Sequence, residues 1–171
     1  MAQVTVTNPN TGQNKLVRVL MDPGSEVNLI SKTLVEFLDL PKRQRSRPVR
    51  VKTVNNMTTK LMDQADFIIH HRTNDTVEMP VSAVIMPDQK WTVKLAAQLP
   101  TWVTENQKLL VDPEFVTSKG NPLPFDIILD IADSFVAFLD TIYKQGKFGV
   151  KQTMFGIREN YGRPVTTCDA S

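Results

Sequence analysis

Residues 16 to 25, Leu-Val-Arg-Val-Leu-Met-Asp-Pro-Gly-Ser, form the pattern in this chain best suited to chemistry. A strand-like apolar run leads into Asp22, and Gly24 and the hydroxyl of Ser25 follow. Leu20 and Met21 would hold the carboxylate at the end of a buried strand, and Gly24 supplies a backbone position without a Cβ for a close turn. Such a carboxylate can serve as a general base toward water. Peptide hydrolysis by that route needs two carboxylates sharing one proton, because like charges so close cannot both ionise. One takes a proton from the water and the protonated one donates to the scissile carbonyl. The chain holds a single Asp-x-Gly, so a two-fold partner must bring the second carboxylate, as an isologous homodimer does. Asp126, Asp130 and Asp133 are the alternatives within the chain. None of them begins an Asp-x-Gly, and 171 residues are few for two catalytic lobes. Asp133 reads better as a helix N-cap.

Asp22-Pro23-Gly24 is also an ordinary turn sequence, with Pro fixing φ at one central position and Gly accepting positive φ at the next. The residues after it make the pattern more specific. Glu26-Val-Asn-Leu-Ile30 reads as a short strand, and Ser31 to Pro41 as a short helix. Ser31 suits an N-cap, Ile30 and Val35 occupy hydrophobic-staple positions, and Pro41 stops the element. Strand, Asp-x-Gly-Ser loop, short strand and capped helix together say more than the tripeptide.

The remaining elements are mostly β. Ala2 to Thr7 alternates, Asn8 to Gly12 turns the chain, and Lys15 to Met21 returns, which is a hairpin signal. Pro48 to Val54, Thr59 to His71 in part, and Val77 to Met86 are further strands, with Asn55-Asn56 as the turn between the first two. Asp126 to Leu129 is a short buried strand, Asp133 to Ile142 fits helix or strand equally, and Gln152 to Ile157 is a last strand. Ser118 to Pro124 reads as a surface loop. No repeat divides the chain, so residues 1–171 are expected to form one domain.

At 41% apolar content the chain can build a core. No apolar run reaches the roughly 18–20 residues that span a bilayer, and no basic-then-apolar leader is visible. The single cysteine, Cys168, excludes an internal disulfide and suits a reducing, intracellular, cytoplasmic setting. Asn56-Met-Thr and Asn74-Asp-Thr match glycosylation sequons by chance in such a setting. His70 and His71 are adjacent and face opposite sides of a strand, so no metal site is expected, and no cofactor.

Three segments, in order, resemble the retropepsin-like aspartic peptidase domain of Pao/BEL-type retrotransposon polyproteins. The first is Val19 to Ser31, similar to that family's apolar–Asp–Ser–Gly–Ser run leading into a helix. The second is Leu109-Leu-Val-Asp-Pro-Glu-Phe115 together with Phe125-Asp-Ile-Ile-Leu-Asp-Ile-Ala-Asp-Ser-Phe135. The third is Thr153-Met-Phe-Gly156. The resemblance covers most of residues 15 to 162. It implies a mainly β fold, a retropepsin-like closed barrel with one or two short helices, and a homodimer built around paired Asp22 residues. It also implies a polypeptide substrate or peptide ligand, an active-site loop of Pro23, Gly24 and Ser25, and a flap hairpin whose tip holds Val54, Asn55, Asn56 and Met57.

The chain departs from that pattern at three places. Pro23 stands where the family implies Ser or Thr, and proline brings neither the hydroxyl nor the N–H that lock the two active-site loops together. Each lost bond costs about 0.5–1.5 kcal/mol. The flap region, Lys52 to Lys60, contains no glycine. Asp130-Ile131 occupies the place of the glycine expected before Ala132. These departures leave two functional classes: an aspartic endopeptidase that processes a retroelement polyprotein, and a catalytically silent descendant that dimerises or binds peptides.

One charge asymmetry stands apart. Between Leu40 and Met62 lie seven basic residues (Lys42, Arg43, Arg45, Arg47, Arg50, Lys52, Lys60) and no acid, although net charge over the chain is only +2. A solvated loop and strand face is the plain explanation, and attraction to an acidic peptide or RNA the functional one. No phosphate loop, aromatic stacking series or zinc knuckle accompanies the run, which argues against nucleic acid.

Overall fold

The computed structural model describes residues 2–22, 25–52, 57–71, 78–87, 91–93, 112, 114, 117, 118 and 120–130. Pro23, Gly24, Val54, Asn55, Asn56, the segment from Asp133 to Ile142, the segment from Gln152 to Ile157 and Cys168 lie outside them. The described elements are β1 (Ala2–Thr7), β2 (Asn14–Asp22), β3 (Leu29–Ser31), α1 (Lys32–Phe37), β4 (Lys42–Lys52), β5 (Thr58–His71), β6 (Glu78–Met86), β7 (Trp91–Val93), β8 (Leu123–Phe125) and β9 (Ile127–Asp130). The chain is mainly β. Among the described residues no helix is long and apolar enough to cross a membrane.

Seven strands pair in the order β1-β2-β9-β3-β6-β5-β4, and β1 also pairs with β5. The second pairing runs antiparallel from Val4↔His71 to Thr7↔Ile68. It joins six of the strands into a continuous circuit, with β4 attached outside it as an edge. The expected hairpin is present, with Ala2↔Val19 through Thr7↔Asn14 in register. Its turn is closed by Gly12, at φ 75°, whose N–H donates to Asn8 O at 2.9 Å.

Alternation along these strands sends one face to a common core. Val4, Val6, Val17, Val19, Phe67, Ile69, Ile127 and Leu129 are buried there with Leu34 and Val35 of α1 and Leu38 just after it. A second, smaller cluster holds Leu29, Leu61, Val84 and Met86, with Val27, Val49, Val51, Trp91 and Ile128 packed against it.

Ser31 does cap α1: its Oγ accepts from Leu34 N at 3.2 Å. The helix stops earlier than Pro41 suggests. Its last residue is Phe37, and Asp39 takes a positive φ of 46°. Asn8 secures that end, donating from Nδ2 to Leu38 O at 2.9 Å and Asp39 O at 2.8 Å.

The boundaries of β4 and β8 differ most from the sequence pattern. β4 begins at Lys42 rather than Pro48, because most of its residues are solvent-exposed and leave no apolar alternation to read. Leu123 and Pro124, placed in a loop by their composition, belong to β8, which pairs with β7. Pro124 is tolerated because this two-stranded pair offers it an edge.

Candidate active site around Asp22

Asp22 is the last residue of β2, half-buried, at the point where the chain leaves the sheet. Beyond it, Ser25 N–H donates back to Asp22 O at 3.2 Å, and Ser25 Oγ–H donates to Val27 O at 2.6 Å.

β9 lies between β2 and β3. It runs parallel to β2, with Leu20↔Ile128 and Asp22↔Asp130 in register, and antiparallel to β3. Two strands adjacent in sequence are thus held apart by a strand from about 100 residues later. Asn28 fastens the arrangement from three sides. Its Oδ1 accepts from Asp130 N at 3.0 Å, its Nδ2 donates to Ser82 O at 3.3 Å, and its backbone O accepts from Val84 N at 2.8 Å. Asp126, by contrast, is occupied elsewhere: its Oδ1 accepts the Ser31 Oγ–H at 2.8 Å.

Side-chain parity gives the site its surroundings. Leu20 and Asp22 share one face of β2, and Ile128 and Asp130 the same face of β9. Ile128 packs on the second cluster, so Asp22 and Asp130 stand on the sheet face that carries this apolar patch, whose other members include Val27 and, from the β4–β5 hairpin, Val49, Val51 and Leu61. That hairpin pairs Val49↔Leu61 through Lys52↔Thr58. Met57, the one described residue of the four at its tip, is 67% exposed.

β2 is anchored at its middle by Arg18. The guanidinium is 5% exposed and grips Asp112 twice, Nε to Oδ2 at 2.6 Å and Nη2 to Oδ1 at 3.3 Å. Nη2 also reaches Glu114 Oε2 at 2.7 Å, and Nη1 donates to Pro124 O at 3.1 Å. Burial pulls the Arg18 pKa down, and the two carboxylates more than reverse this, so it stays raised. Asp112 sits in the Asp-Pro-Glu-Phe segment.

No family model, curated protein or solved structure matches this chain.

Of the residues expected at the site, the structure brings Asp22 and Ser25 together and sets the β4–β5 hairpin against the same apolar patch. Asp130, weighed from sequence only as a distant alternative, is the cross-strand neighbour of Asp22. Arg18 and Asn28 were missed. Arg18 is one polar residue in a strand-like apolar run, and Asn28 one within the Glu26–Ile30 strand segment; only their long-range partners reveal them.

Proposed function

We propose that this chain is a retropepsin-like aspartic endopeptidase domain of retroelement origin, folded as the closed barrel of that family and working as a homodimer. The observation that carries the reading is Asp22 itself: a half-buried carboxylate at the end of β2, with the Ser25 N–H returning to its carbonyl, on the sheet face that carries an apolar patch walled by a hairpin. The strand circuit with one short helix is in keeping with that barrel, and the hairpin lies where the resemblance puts a flap. In the dimer, the two Asp22 carboxylates would share a proton, one activating water and the other protonating the carbonyl oxygen.

Two features favour a second reading, a catalytically silent module that dimerises or binds peptides. Pro23 removes a donor and a hydroxyl from the loop. Asp130, where a glycine is expected, sets a second negative charge in register with Asp22, and like charges on neighbouring strands repel.

Cleavage of a mixed peptide pool in acid, read by mass spectrometry, separates the two. The peptidase reading expects pepstatin-sensitive products that Asp22→Asn abolishes, and a gain on Pro23→Thr. A silent wild type that gains this activity on Pro23→Thr places the chain in the second class. Products that persist in Asp22→Asn, or no products from any variant, refute the peptidase reading.

A further inference from the structure

We propose that the outward face of the β4–β5 ribbon docks an extended acidic polypeptide segment, independently of any catalysis at Asp22. β4 is the last strand of its sheet, so its outer edge pairs with no strand among the described residues. An open edge offers main-chain donors and acceptors to an incoming strand.

The face is built for negative charge. Val49 and Val51 turn inward to the second cluster, so Arg50 and Lys52 point the other way. Arg50 stands directly opposite Lys60 on β5. Like charges in that position destabilise an antiparallel pair, and among the described residues neither has an acid bonded to it. The nearest register partner of acidic type is Asp63, opposite Gln44. Between Gln44 and Val49 the register breaks, and Arg45, Ser46, Arg47 and Pro48 face a single residue of β5. Arg45 donates to Gln64 Oε1 at 3.1 Å while its Nε is buried without a partner. Among the described residues, Arg43, gripping Asp66, is the one basic residue of β4 with an acid bonded to it.

Beside this face opens a cavity of about 400 Å³. Lys32, Lys42 and Lys60 stand around it with Asp63, and Leu61, Ile85 and Pro87 give it apolar walls. An apolar side chain flanked by carboxylates fits that combination. Nucleic acid fits it less well, since none of these residues is aromatic and single-stranded nucleic acid needs stacking surfaces.

The test is fluorescence anisotropy on the full chain with three labelled probes: a peptide alternating Glu or Asp with Leu, its Lys-for-acid counterpart, and a mixed single-stranded RNA. The acidic peptide is expected to bind, more weakly as salt rises, and the basic one not to bind. Arg50→Glu with Lys60→Glu should weaken binding at least about tenfold. Lys42→Glu should do the same through the cavity rim. Both changes are at exposed positions, and unchanged thermal melts would show that the fold is intact. No binding of the acidic peptide, binding indifferent to these charge reversals, or RNA binding in preference to peptide overturns the proposal. Because Asp22→Asn leaves this face untouched, that variant should bind the acidic peptide like the wild type, whatever becomes of its cleavage activity.

Discussion

Arg18 and Asp112 are nearly excluded from water, and each justifies the other. Desolvating either alone costs several kcal/mol, so truncating Asp112 leaves the buried Arg18 charge balanced only by the exposed Glu114 carboxylate. Asp112→Ala should therefore destabilise the chain by about 3–5 kcal/mol in urea denaturation. Adding Arg18→Met to it should recover part of that loss, because the orphaned charge goes too. Equal and additive losses would mean that the pair is not coupled. Glu114, with its side chain 62% exposed, should matter far less. The Asp22 motif was legible from residue types alone because strand, turn and hydroxyl are contiguous. The Arg18 anchor was not, since its partners lie 94 and 96 residues away and alternation cannot tell an outward polar residue from a buried one.

The short helix α1 depends on its two ends more than on its six residues, too few for independent stability. Ser31 was recognisable as its N-cap because capping is local. Its C-terminal partner, Asn8, was not, because that side chain was explained by the hairpin turn it also serves: Oδ1 accepts from Asn10 N at 2.8 Å. Asn8 is 1% exposed, so Asn8→Ala loses the turn bond and leaves the Leu38 and Asp39 carbonyls without it. A cost of about 1–3 kcal/mol is expected in thermal melts. The edge strand was half legible: its apolar end, Val49 and Val51, was read and its basic start was not. That start is tied down by Asp66, which bridges Arg43 of β4 and Ser82 of β6. Burial pushes the Asp66 carboxyl up, but the Ser82 hydroxyl and the Arg43 guanidinium together bring it below 3.8, its ordinary value. A carboxyl with a lowered folded-state pKa contributes stability above the unfolded pKa and loses it as pH falls through the folded one. The stability difference between wild type and Asp66→Asn should thus be present above about pH 4 and vanish in stronger acid. The pair is exposed, so the difference should stay within about 1 kcal/mol. A difference that grows in acid would contradict this assignment.

For the molecule as a whole, the decisive property is where a second carboxylate would come from. Local pattern exposed the strands but not their order: nothing in Asp126 to Leu129 says that this segment lies between β2 and β3. That insertion sets Asp130 beside Asp22 and makes two sources of a second carboxylate distinguishable by mass action. If two chains each lend an Asp22, activity belongs to the dimer, and activity per chain must fall on dilution below the dissociation constant. If Asp22 and Asp130 of one chain formed the pair, activity per chain would be independent of concentration. The two-fold arrangement gives Asp130 no catalytic proton and only a repulsive role, so Asp130→Asn should preserve or raise activity, measured with Pro23→Thr if the wild type is silent. A one-chain pair would be abolished by the same substitution, since an amide can neither act as base nor share the proton. We expect dilution to lower activity per chain, sedimentation to show mass rising with concentration over the same range, and Asp130→Asn to remain active. Constant activity per chain down to concentrations at which sedimentation shows only monomer, together with an inactive Asp130→Asn, would reverse the assignment.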